Sequence, residues 1–147
     1  MNSYRTVVVG TDGSDSSMRA VDRAAQIAGA DSRLIVASAY LPHHDDTRAA
    51  DALRQESYKV SGMAPIYAIL QDAKERAHAA GAKNVEERPI EGAPVDALVK
   101  LAEDEKADLL VVGNVGLSTI AGRLLGSVPA NVSRRATIDV LIVHTTS

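Results

Sequence analysis

The chain has 147 residues, 46% hydrophobic and 24% charged, the proportions of one globular domain spanning 1–147 and large enough to close a core. A net charge of −3 and an aromatic content of 3%, all of it Tyr, argue against a nucleic-acid partner, which calls for a basic face and stacking rings. The lack of Cys excludes disulfides, thiolate metal sites and cysteine nucleophiles, and no apolar run approaches the roughly 20 residues of a membrane helix.

The first apolar run, Thr6 to Gly10, is rich in Val and suits a strand buried on both faces. It is too short for the core of a signal peptide, so a cytoplasmic protein with no membrane partner is expected. Thr11-Asp12-Gly13-Ser14 reads as a turn, with Ser14 as helix N-cap. Met18, Val21, Ala25 and Ala28 then follow at helical spacing as core positions, and Gly29 closes the helix. The second strand is Leu34 to Tyr40.

Residues 41–62 read as a loop or partly helical excursion, either a lid over a pocket or a variable connection. The adjacent His43-His44-Asp45-Asp46 in it have no third cluster to complete a metal site and read as solvated, so no metal is expected. Ile66, Ile69, Leu70, Ala73, Ala77 and Ala80 mark a helix ending at Gly81. Its Lys74, Glu75 and Arg76 read as a solvated face, and His78 as surface. A weaker strand covers 84–90. Gly92-Ala93-Pro94 begins a helix with Val95, Leu98, Val99 and Ala102 on one face, Pro94 being tolerated in the first turn.

Asp108 to Gly113 is the clearest central strand, followed by a Gly-rich loop over 114–126, a helix from about Val128 to Ala136, and a last strand from Ile138 to His144. Arg134-Arg135 near that helix's end complements its dipole. Strands alternating with helices predict an α/β fold, an open five-stranded parallel sheet with helices on both faces. Ligands of such sheets sit at the strand carboxyl ends. Two glycine-marked ends qualify, Gly10-Thr11-Asp12-Gly13 and Gly113-Asn114-Val115-Gly116. Neither is a Walker A loop or a GxGxxG fingerprint. Gly113, Gly116 and Gly126 instead form Gly-x-x-Gly, nine residues, then Gly-Ser. Glycine admits close backbone approach to a ligand. Gly126-Ser127, opening a helix, offers free amides to an anion. Asp12 can accept from ribose hydroxyls, and the small Gly10 and Ala39 leave room for a flat base.

At these residues the chain resembles the universal stress protein family, in its ATP-binding-type branch, whose signature is Gly-x2-Gly-x9-Gly-Ser/Thr. The Val-Gly-Thr-Asp-Gly-Ser opening and Gly92-x-Pro94 are also similar, and within the family the likeness is to mycobacterial members that bind cyclic AMP. The resemblance spans the chain. It implies a flavodoxin-like sheet of HUP type with order 3-2-1-4-5, an adenine nucleotide site, and a homodimer paired through Thr137 to His144. By position, Gly10, Thr11 and Asp12 would line base and ribose, and Ala39 and Val112 would flank the adenine. Gly113, Asn114 and Gly116 would approach ribose and phosphate, and Gly126, Ser127 and Val128 would hold phosphate. Gly10 departs from the Pro of many relatives, and Leu117 from the polar or basic residue frequent there.

Arg123 is the sole cation of the 113–128 loop, and no general base stands beside it. Triphosphate chemistry normally needs Lys, Arg or metal-holding carboxylates at the γ-phosphate, whereas a cyclic monophosphate carries one charge that helix-end amides can meet. The expected ligand is therefore cAMP or ATP, with Mg relevant only to ATP, and with binding rather than efficient turnover. The competing classes are a slow ATPase or phosphotransferase, a flavodoxin-like redox carrier, and a dimeric scaffold with a vestigial pocket. The absence of Trp and Phe, the usual flavin sandwich, counts against the redox carrier.

Overall fold

In the computed structural model, residues 4–40, 55–114, 119–120, 123–124, 132 and 135–144 are described, the side chains of 55–62 and 119–124 excepted. Strand β1, Thr6–Gly10, leads to helix α1, Asp15–Ala28, and strand β2, Arg33–Tyr40. Helix α2, Gln55–Ala79, is followed by β3, Asn84–Glu91, then α3, Pro94–Asp104, and β4, Leu109–Gly113. Two short strands, β5 (Thr119–Ile120) and β6 (Arg123–Leu124), precede the final β7, Asp139–Val143.

The main sheet has the order β3-β2-β1-β4-β7, and all its pairings are parallel. With β7 as its fifth member this is the expected 3-2-1-4-5 arrangement. Alternate side chains of each strand serve opposite faces. Val7, Val9, Leu34, Val36, Leu109 and Val111 join the buried faces of α1 and α2 in one core. Val8, Ile35, Ala37, Leu110 and Val112 join Leu98, Leu101 and Ala102 of α3, and Val132, in the other. Helices thus cover both faces, as continuous apolar strands require.

Helix α1 begins where Ser14 accepts the Ser17 amide through its side chain, and it ends at Gly29, whose φ of 61° closes the last turn. Met18 is buried with Val21, Ala25 and Ala28, as their spacing demands. Asp108 ties the amino end of the sheet, its Oδ2 accepting the Arg5 and Thr6 amides at 2.8 and 3.0 Å.

Three features add detail to the expectations. Residues 55–62 are helical backbone continuous with α2, which carries Pro65 in its interior. Proline removes one helical hydrogen bond, but Leu70, Ala73 and Ala77 fix the following turns in the core and the helix persists through it. Residues 41–54, with the His43–Asp46 cluster, lie outside the described residues. The 114–126 loop contains the antiparallel β5–β6 pair, in register Thr119↔Leu124, which two-residue strands cannot announce by periodicity. Arg76 is exposed, as expected of a solvated face, and makes a two-pronged contact with Asp22 of α1, through Nε at 3.0 Å and Nη2 at 2.7 Å. His78 is exposed and pairs with the Ala82 carbonyl at 3.0 Å.

Candidate functional site

The chain runs β1, β2, β3 outward in one direction, then returns beside β1 with β4 and continues outward to β7. Order therefore reverses between β1 and β4, and the switch point lies at their carboxyl ends. The register shows how the crevice opens. Pairing of β1 with β4 ends at Val9↔Val111. Beyond it Gly10 pairs with Ala37 of β2, and the Thr11 amide bonds the Ala37 carbonyl at 2.9 Å. On the other side Val112 and Gly113 pair with Ile142 and Val143 of β7, and the Asn114 amide bonds the Val143 carbonyl at 2.9 Å. The two central strands part, each keeping its outer neighbour, and no backbone donor named here is sacrificed.

The α3 side of the parting is lined by small residues. Gly10, Thr11, Ala37, Ala39, Pro94 and Leu98 line a narrow recess. Gly10 follows Val8 by two positions, and Ala39 follows Ala37, so all point to one face. Val112 shares that face and is fully buried. The recess is held from below by the β3–α3 turn. There the Gly92 amide bonds the Tyr40 carbonyl at 2.8 Å, and Pro94 occupies the first helical turn. Ala37, Pro94 and Leu98 were not among the sequence-derived lining residues. Their signal was present in the period-two pattern of β2 and the first turns of α3, but it needed the pairing of β1 with β2 to become a wall. Wider surface troughs lie at Tyr4, Leu109 and Asp139, and along Tyr67, Lys74 and His78. Neither is at the strand carboxyl ends.

The β1–α1 turn is organised by hydroxyls. Thr11 is fully buried, and its Oγ1 lies 2.7 Å from Ser17 Oγ and accepts the Gly13 amide at 3.1 Å. Its side chain is thereby spent on the turn, and its amide on the Ala37 carbonyl. Asp12 accepts the Ser14 amide through Oδ1 at 2.9 Å, the local turn that aspartate favours. Among the expected site residues, Gly10, Thr11, Asp12 and Ala39 gather on one side of the crevice, and Val112, Gly113 and Asn114 on the other. Gly116, Gly126, Ser127 and Val128 fall outside the described residues. Of the helix expected to follow them, Val132 and Arg135 are helical and Val132 is buried. Arg135 pairs with Asp96 of α3, rather than serving the helix dipole alone.

A second polar assembly lies away from the crevice. Arg33 of β2 contacts Glu86 of β3 and Glu105 after α3, the latter at 2.6 Å. Arg88 reaches the same two carboxylates at 3.2 and 2.8 Å. Hydrogen bonding from Arg33 holds Glu86 below the ordinary carboxylate range, and hydrogen bonds from Arg88 and Arg33 do the same for Glu105. The same contacts raise both arginines.

A parallel sheet wound on both faces, with its central strands parted at their carboxyl ends, defines a flavodoxin-like α/β protein. The model of the universal stress protein family matches residues 3–144, and the chain belongs to that family. Universal stress protein Rv1636 of Mycobacterium tuberculosis H37Rv is 84% identical over 146 residues, covering 99% of this chain and 100% of the relative. The crystal structure of Rv1636 is 75% identical, with a TM-score of 0.64 and 99% of each chain covered. The crystal structure of a universal stress protein in complex with cAMP is 72% identical, with a TM-score of 0.76, covering 97% of this chain and 99% of the other.

Proposed function

We propose that this chain binds an adenine nucleotide, cAMP in preference to ATP, in the crevice between β1 and β4, and acts as a regulator or nucleotide sink without efficient turnover. The observation that carries this reading is the cAMP complex of a universal stress protein 72% identical to it, joined to the parting of β1 from β4 at the switch point of the sheet. Gly10 and Ala39 are the small residues that would flank the base, with Val112 buried on the same face. Asp12 has acceptor capacity beyond its bond to Ser14 for a ribose hydroxyl. Gly113 and Asn114, then Gly116, Gly126, Ser127 and Val128 of the glycine signature, would approach ribose and phosphate. The single cation of the 113–128 loop, Arg123, suits one phosphate charge better than a triphosphate with its metal.

The protein would work in the cytoplasm as a homodimer joined through Thr137 to His144. β7 is an outer strand of the sheet, and its Ile142 is 41% exposed. An open apolar edge is guarded by pairing with a second chain.

Calorimetric titration of the nucleotide-stripped protein is the test. Tighter binding of cAMP than of ATP, unaltered by magnesium, is expected. Absence of heat with either nucleotide would overturn the reading in favour of a scaffold. Magnesium-dependent ATP hydrolysis abolished by Asp12→Ala would overturn it in favour of an enzyme.

A further inference from the structure

We infer that Thr11 and Ser17 are the positioning residues of this site, fixing Asp12 from inside the protein so that its carboxylate is already aimed when the nucleotide arrives. The inference rests on the nucleotide reading above and adds to it a pair of hydroxyls that never touch the ligand.

The hydrogen bonds of the turn support it. Ser17 Oγ has one proton and two lone pairs. It donates to the Ser14 carbonyl at 3.0 Å and accepts the Asp12 amide at 3.2 Å. The Ser14 hydroxyl also reaches Ser17 Oγ at 3.2 Å, and Thr11 Oγ1 lies 2.7 Å from it, a contact in which either hydroxyl can donate. The Met18 sulfur, 3.9 Å from Thr11 Oγ1, is a poorer acceptor. Thr11 in turn accepts the Gly13 amide at 3.1 Å. The amides on either side of the Asp12 carbonyl, its own and that of Gly13, are thus both held by this hydroxyl pair. Thr11 and Ser17 are both fully buried, so water cannot substitute for either.

A side wall completes the clamp. Gly13 adopts a φ of +87°, and a Cβ built there would lie 2.9 Å from Ile69 Cγ1 of α2. Ile69 packs against the core and blocks the turn from rolling outward. Asp12 is left with little to reorganise, and pre-organisation of this kind is realised as affinity.

A double-mutant cycle on cAMP affinity tests it. Asp12→Ala is expected to weaken binding about tenfold, the value of one hydrogen bond to a charged group. Thr11→Val keeps the shape, removes the hydroxyl, and is expected to weaken binding by a similar factor. The double variant is expected to bind about as well as Asp12→Ala alone, because both changes remove one interaction. Thr11→Ser is expected to restore affinity. Should Thr11→Val not fold, Ser17→Ala takes its place in the cycle. Losses that multiply in the double variant would overturn the inference. Wild-type affinity in Thr11→Val or in Asp12→Ala would do so too. Absence of cAMP binding in the wild type would remove the nucleotide reading as well, which separates the two failures.

Discussion

The hydroxyl-bound turn after β1 and the ionic ring beyond the start of β2 solve one problem by opposite means. Each ties several elements together with side-chain polar groups. At the turn, Thr11 and Ser17 are neutral, fully buried and pH-indifferent. At the ring, Arg33, Glu86, Arg88 and Glu105 are charged and keep side-chain exposures between 21% and 34%. Burying four charges would cost more in desolvation than their attraction returns, whereas hydroxyls can be buried once every proton is matched. The neutral set stands beside the crevice, and the charged set at a margin where water still helps.

The sharpest way to break this contrast is to fill the crevice and leave the ring alone. Ala39→Leu is expected to reduce cAMP affinity roughly a hundredfold, about 2–3 kcal/mol, by occupying the recess. A thermal melt should show little change, because Ala39 is only half-buried. Gly13→Ala should act on stability instead, lowering the unfolding free energy read from urea titration by about 2 kcal/mol, since it forces a side chain into a left-handed φ and against Ile69.

Acid should separate the two assemblies. Glu86 and Glu105 sit below their ordinary value of 4.5 in the folded state. Their contribution is complete above that value and disappears as pH falls through the lowered folded values. Urea midpoints measured from pH 6 to pH 3 should fall across this window. Glu105→Gln should flatten the fall, and Thr11→Val should leave its slope intact. The smallest effect belongs to the exposed pair between Arg76 and Asp22: Arg76→Ala should cost about 0.5 kcal/mol, shrinking further in high salt.

Local signals carried much of this fold. Ser14 and Gly29 bracket α1 because capping is written in two residues, and the Val and Leu runs of β1 and β4 could be nothing but buried strands. The crevice was legible for the same reason, since glycines at two strand ends mark the switch point once the order is known. What escaped was relational. Pro65 and Gly62 punctuate the chain where α2 continues unbroken. The Arg33 ring joins residues up to 72 positions apart, and no spacing rule spans that distance. Ser17 carries no signal in the sequence, because what it holds is set by Thr11, Asp12 and Ser14 around it.

The parting of β1 from β4 has a consequence for how such proteins diversify. The opening is made by each strand choosing its outer partner after Val9 and Val111, and the choice is held by amides at positions 11 and 114 that every residue but proline can supply. A lineage can therefore exchange the residues that meet the cargo while the framework folds unchanged. One cleft can thus be inherited by proteins with different cargoes, its chemistry rewritten in a few short loops.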